Sequence, residues 1–234
     1  NVVHPRDSRE RGGAAREAGS GPRASCCFEG VGVAPPPQVK TLKAAVVDRR
    51  EAMQLLMGYN SFNGYVWNKL FDLQLIREND IRFHADYPAC EDTMFVGSYL
   101  YHCSRVCVTE ECLYCYRQVS GGANRGRYSG RKAYDPKWMS VFEMTEYMAD
   151  LYKDDAVTAA CRLHEVREAG IVLRSMEAAG YHGADHARLK GILRRGAGLF
   201  FRDENSGRSQ KLSVLLSCIS PKLELAVWKL RNRK

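Results

Sequence analysis

GYVWNKLF at residues 64–71 and YPACEDTMF at residues 87–95 decide how this chain reads. In the first, the apolar Tyr65, Trp67 and the pair Leu70/Phe71 predict a strand that presents Asn68 and Lys69 at its end. Pro88 then breaks the chain. Glu91 and Asp92 follow at once, and behind them Met94, Phe95, Tyr99 and Leu100 share roughly one helical face. The two acids therefore stand in the first turn of a helix. VCVTEECLYCYR (106–117) reads as two short strand-like runs around an acidic turn.

Four motifs stand in order here: Trp67-Asn68-Lys69-Leu70-Phe71, Arg82-Phe83, Glu91-Asp92-Thr93-Met94-Phe95 and Leu113-Tyr114-Cys115-Tyr116-Arg117. The segment resembles the C-terminal half of the catalytic domain of family 2 glycosyltransferases, inverting enzymes of the GT-A fold that use nucleotide sugars. The likeness covers residues 40–120 well, 120–180 loosely and the C-terminus in style only. It implies an α/β fold: a partial GT-A-like domain of few strands plus helices over 41–120, then a mostly helical C-terminal region. That region divides into a helical extension (121–205) and a basic amphipathic helix (206–234), and residues 1–40 form a disordered N-terminus.

The same resemblance implies a function: sugar transfer from a nucleotide-sugar donor to a saccharide or glycoconjugate acceptor, in polysaccharide or cell-envelope assembly. Such transfer needs a carboxylate that takes the proton from the attacking hydroxyl. By resemblance that base is Asp92. Adjacent helical residues do not share a face, so Glu91 becomes a neighbour that orients it. A helix N-terminus stabilises a carboxylate and weakens it as a base. Read without the flanking motifs, the acidic pair is simply a helix start, where acids are favoured. Trp67 is a platform for a sugar or base, or else a buried strand tryptophan. Asn68 is carried at the strand end with it as a substrate contact. Lys69 contacts phosphate, or pairs with an acid at the sheet edge. Arg117 reaches the diphosphate, or is a surface arginine.

The family's N-terminal, nucleotide-binding half has no counterpart in the sequence. No Asp-x-Asp occurs anywhere, and Asp154-Asp155 falls in a helical pattern. The divalent metal (Mn or Mg) expected for the family therefore has no D-x-D site in this chain, and a fragment, a split gene product or a decayed copy is implied. The rival readings are a non-catalytic interaction module and a basic nucleic-acid-binding protein. Against the latter, the basic residues are not interleaved with exposed aromatics, so no nucleic acid is expected.

Cys103-x3-Cys107-x4-Cys112-x2-Cys115 offers four thiolates to zinc. An offset of three in a strand-like run, however, sends Cys112 and Cys115 to opposite faces. His84, His102 and His164 show no paired spacing, and no metal ligands are assigned. Nine cysteines without an apolar leader argue for reduced thiols and a cytoplasmic setting.

The 234 residues suffice for one domain with appendages, or two small domains. Residues 181–234 hold twelve Lys/Arg against four Asp/Glu, a balance of +8 that equals the whole chain's net charge. A basic tail of this kind points to a local anionic partner. In LSVLLSCISPKLELAVWKLRNRK (212–234), Leu223, Ala226, Val227 and Leu230 recur at helical spacing beside Trp228. That is the layout of an interfacial helix, peripheral at the inner face of a membrane with an anionic surface, or of a terminal helix docked on the protein's own core.

The remaining elements follow from local signals. Asp48-Arg49-Arg50-Glu51 has the form of a capping box opening a short helix that Gly58 ends. A short helix is expected around 72–78. Asp135-Pro136 starts another that runs to 152, and further helices are expected at 155–179 and 184–198. Residues 1–38 and the basic loop 121–127 carry no period and read as disordered and flexible.

Overall fold

The computed structural model describes residues 26–29, 44–58, 63–109, 115–118 and 134–232, with 26–29, 44 and 115–118 as backbone alone. Apart from 26–29, the segment expected to be disordered lies outside these residues, as do the 121–127 loop, the acidic turn and Cys112.

In chain order the elements are β1 (Cys26–Glu29), β2 (Ala44–Val47), α1 (Arg49–Met57), α2 (Leu73–Glu78), α3 (Glu91–His102), β3 (Val106–Thr109) and β4 (Cys115–Gln118). A 3-10 turn (Pro136–Met139) then leads into α4 (Ser140–Tyr152), α5 (Asp155–Ala179), α6 (Ala184–Arg202), α7 (Arg208–Ile219) and α8 (Pro221–Arg231). The four strands form two separate two-stranded ladders: β1 with β4, parallel, and β2 with β3, antiparallel.

This corrects the expected α/β, GT-A-like fold: the described residues are mostly helical and assemble no larger sheet. Each strand is only four residues long, so neither ladder offers a face wide enough to organise a core. The strand expected over 64–71 is instead a run of turns. Residues 26–29, read as structureless, pair in register with 115–118, Cys26 opposite Cys115 and Phe28 opposite Arg117.

The helices begin and end where local chemistry dictates. Asp48 accepts the Glu51 N–H at 2.8 Å, and Asp72 accepts those of Gln74 and Leu75. Asp154 caps α5 through Ala156 and Val157, which accounts for one of the two acids at 154–155. Gly180, at φ +70, ends α5 in the left-handed region that glycine enters without strain. Ser220 and Pro221 open α8.

The 25-residue α5 is about 37 Å long, and α1, α4, α6, α7 and α8 pack along it. One apolar cluster joins α1, α3, α4 and the start of α5, with Met53, Met57, Met94, Met144 and Met148 filling it. Flexible thioethers suit such an irregular junction. A second cluster joins the rest of α5 to α6 and α7 through Leu173, Met176, Leu189, Leu193, Phe200 and Val214. Burial of each such side chain stabilises by about 1.5–3 kcal/mol. No helix among the described residues is long and apolar enough to cross a membrane.

Two glycines allow close helix approach, with different tolerance. A Cβ on Gly97 meets the Met148 thioether end at 2.7 Å, and that end can swing aside. A Cβ on Gly196 runs into Cγ2 of Val166, whose χ1 is fixed on a helix. Gly97→Ala is therefore expected to stay within about 1 kcal/mol of wild type, because alanine also favours the helix. Gly196→Ala should destabilise by about 1–3 kcal/mol. Urea denaturation of both variants checks the contrast; equal effects would refute it.

Candidate functional site

Residues 63–69 fold back into a closed loop. Asn63 takes a left-handed conformation at φ 52, one that asparagine tolerates better than most residues. Gly64 follows, so tight against Thr93 of α3 that a Cβ there would overlap the threonine side chain. The Lys69 N–H bonds the Val66 carbonyl at 3.2 Å. The Lys69 ammonium donates to the carbonyls of Asn63 (2.6 Å) and Tyr65 (2.7 Å) and to Oδ1 of Asn68 (2.8 Å). The Tyr65 and Trp67 rings stack at 5.2 Å. Lys69 thus gathers the loop's own oxygens, which is why the apolar alternation read as a strand closes into turns.

The loop lies on the first turn of α3. Asp92 accepts a hydrogen bond from the Val66 backbone and stands close enough to Lys69 for their charges to interact. Burial raises the Asp92 carboxyl above the ordinary aspartate value, and the exposed Glu91 raises it further. The Val66 N–H and Lys69 only partly offset this. Burial likewise brings Lys69 down to about 7, with Asp92 opposing. The cap of α3 is Cys90, which makes no side-chain capping bond. Asp92 therefore faces the loop.

Three of the four motifs meet at one ring. Phe95, from the acidic motif, stacks on Phe83 at 4.4 Å and takes the edge of Phe71 at 5.4 Å. Phe71 also meets Tyr99 edge-on, and the Tyr99 hydroxyl accepts the Asp72 N–H at 2.8 Å. These contacts fix the loop, the Arg82-Phe83 turn and α3 as one unit. Arg82 itself pairs with Asp80 on the surface. Of the candidate site residues, Glu91, Asp92, Trp67, Asn68 and Lys69 are thus drawn into the loop and helix start. Arg117 is placed only by its backbone in β4.

Among the cysteines proposed for zinc, Cys103 donates to the Tyr99 carbonyl at 3.4 Å and Cys107 is exposed. His164 packs between the Met57 carbonyl and Arg167, and Arg167 also donates to that carbonyl at the end of α1. A different cluster escaped the sequence reading: Glu177, His182 and His186, whose ligand atoms all lie within 4.8 Å of one another. The His-x3-His spacing at 182–186 was the available signal.

Comparison of the chain with protein-family models, curated proteins and solved structures finds no match in any of the three.

Proposed function

We propose that the chain supplies the acceptor side of an inverting sugar transfer from a nucleotide-sugar donor, with Asp92 as the general base. The observation that carries this is the carboxylate's setting: a loop closed over a helix start, one backbone N–H oriented on it, and burial plus Glu91 raising its proton affinity. A helix N-terminus alone would weaken the base; here those two influences come first. In the step itself the acceptor hydroxyl attacks the anomeric carbon, its proton passes to Asp92, and the nucleoside diphosphate leaves with the bond electrons. Lys69 holds the loop that presents Asp92, and Trp67, stacked on Tyr65, is the loop's sugar platform in this reading.

The divalent cation such transfer commonly uses prefers a set of oxygen ligands. Glu91 and Asp92 do not fit that role, because they offer only two carboxylates and the Lys69 side chain stands beside Asp92. The reading is tested by mixing the chain with a separately produced donor-binding half of a family 2 glycosyltransferase and measuring transfer from labelled nucleotide sugars. Inverted product supports it. Tight, metal-dependent nucleotide-sugar binding by the chain alone would contradict the expected absence of a donor site. Binding to the other half without any transfer favours the interaction-module reading.

A second reading concerns where the chain works. Leu212, Leu215 and Ile219 on α7 and Leu223 and Leu230 on α8 remain exposed, beside Lys211, Lys222, Lys229 and Arg231. Apolar side chains ringed by cations suit an anionic lipid surface, where each basic residue contributes about 1 kcal/mol. Flotation with phosphatidylserine vesicles is expected to fall with salt and to be lost in Ile219→Glu/Leu230→Glu. These positions are 68% and 61% exposed, so the fold should survive. Equal flotation of variant and wild type would remove the membrane claim.

A further inference from the structure

We propose that Glu177, His182 and His186 form a binding site for a borderline divalent transition metal, of which zinc is the reference ion. Glu177 sits in the last turn of α5, and the left-handed Gly180 reverses the chain immediately after it. The Gly180 and Tyr181 N–H groups bond back to the Glu177 and Met176 carbonyls at 3.2 and 2.9 Å. This tight reversal brings His182 and the first turn of α6 over the carboxylate. Nε2 of His186 stands 2.8 Å from Oε1 of Glu177, and Nδ1 of His182 stands 3.9 Å from the same oxygen.

The supports are rigid. Tyr181 packs on Tyr134 at 4.7 Å, and the Tyr134 hydroxyl donates to Asp185 at 2.8 Å, one residue before His186. The Glu177 side chain is 4% exposed and that of His186 14%, while His182 is half exposed. Two ligands are therefore fixed within the fold and the third can adjust.

Zinc bonds of about 2.0–2.1 Å place tetrahedral ligands about 3.3 Å apart. The two separations from Glu177 Oε1 bracket that value and all three ligand atoms lie within 4.8 Å of one another, so a slight shift of His186 off its direct contact with Glu177 and an inward turn of the exposed His182 complete the set. Two imidazoles and one carboxylate are the donors of a three-ligand zinc site with a fourth position left for solvent. The same set is a poor match for magnesium or calcium, which take oxygen. Coordination through Nε2 of His186 places its proton on Nδ1, the tautomer selected when the other ring nitrogen is bound. The ion would pin the end of α5 to the start of α6 across the Gly180 turn. This proposal stands apart from the sugar-transfer reading, since it shares no residue with the Asp92 loop.

The test uses the full chain, reduced and stripped with chelator, then titrated with cobalt(II) and zinc. The chain holds nine cysteines, so the cobalt spectrum must separate the ligand types. One equivalent of cobalt with d–d bands and no thiolate charge-transfer band is expected, displaced by zinc, together with a higher melting temperature in zinc. His182→Ala, at the exposed position, should fold normally by circular dichroism and lose affinity. Losing an outer-shell partner alone costs about 10–100-fold, and losing a ligand should cost at least as much. Glu177→Gln should show the same loss. Thiolate bands in bound cobalt, unchanged affinity in His182→Ala, or no binding at micromolar metal would each overturn the site.

Discussion

Asp92→Asn is expected to lower the turnover of the restored transfer reaction by about 10²–10⁴-fold, the usual loss when a positioned base is removed. The amide oxygen can still accept the Val66 N–H, but the side chain cannot take a proton. The fold should remain. Asp92 has its carboxyl pKa raised in the folded state, so the stability linked to it is complete below the unfolded value and declines as pH rises through the folded one. At neutral pH the ionised carboxylate therefore carries a cost that the neutral amide lacks, and Asp92→Asn should melt at or above the wild-type temperature. Glu91→Gln should act more mildly. Glu91 raises the Asp92 pKa, so its removal lowers that value and moves the acid limb of the pH–rate profile to lower pH. Measuring turnover, melting temperature and the pH–rate profile of both variants decides the matter. Wild-type turnover in Asp92→Asn would return the acidic pair to being a helix start and nothing more.

The helix starts were the most legible part of the chain. Asp48, Asp72, Asp135 and Asp154 each accept a backbone N–H in the first turn that follows, because a short side chain at the cap puts its oxygen within reach of the first turn's unpaired N–H groups. The α5 span, 155–179, follows from the Asp154 cap and Gly180, whereas α6 opens at Gly183 without a side-chain cap. The alternation of Tyr65 and Trp67 points to a strand at 64–71, but over so few residues it is ambiguous. The two rings stack on each other and Lys69 gathers three oxygens of its own loop. Neither arrangement leaves a trace in local spacing.

The α/β expectation rested on a family pattern, and the pattern carried local order better than architecture. Phe71, Phe83 and Phe95, each from a different motif, do meet in space. The sheet they would belong to is not formed by the described residues. The Glu177 cluster was visible only in part: two histidines at i and i+4 mark a pair, but the carboxylate joins them through the chain reversal at Gly180, which is a tertiary fact.

Arg174→Met is expected to destabilise the chain by about 3–5 kcal/mol, the cost of stranding one partner of a buried ion pair. Arg174 on α5 donates to Glu224 on α8 at 2.8 Å, with side chains 10% and 3% exposed. Ser213 of α7 donates to the same carboxylate oxygen at 2.7 Å, and the guanidinium lies 5.0 Å from the Trp228 ring centroid. Three helices are thus joined at one carboxylate. Among the described residues, Arg174 Nε and Glu224 Oε2 are nevertheless buried without a hydrogen-bond partner, so the pair is only partly compensated for its lost hydration. The double variant Arg174→Met/Glu224→Leu should therefore recover most of the loss and reach or exceed wild-type stability. Guanidinium denaturation followed by tryptophan fluorescence reads both variants, since Trp228 reports the seating of α8. A loss below about 1 kcal/mol in Arg174→Met would mean that α8 lifts away and the carboxylate regains water, as at an exposed pair. That outcome would make the docking of α8 marginal and leave its apolar side chains available to a surface outside the protein.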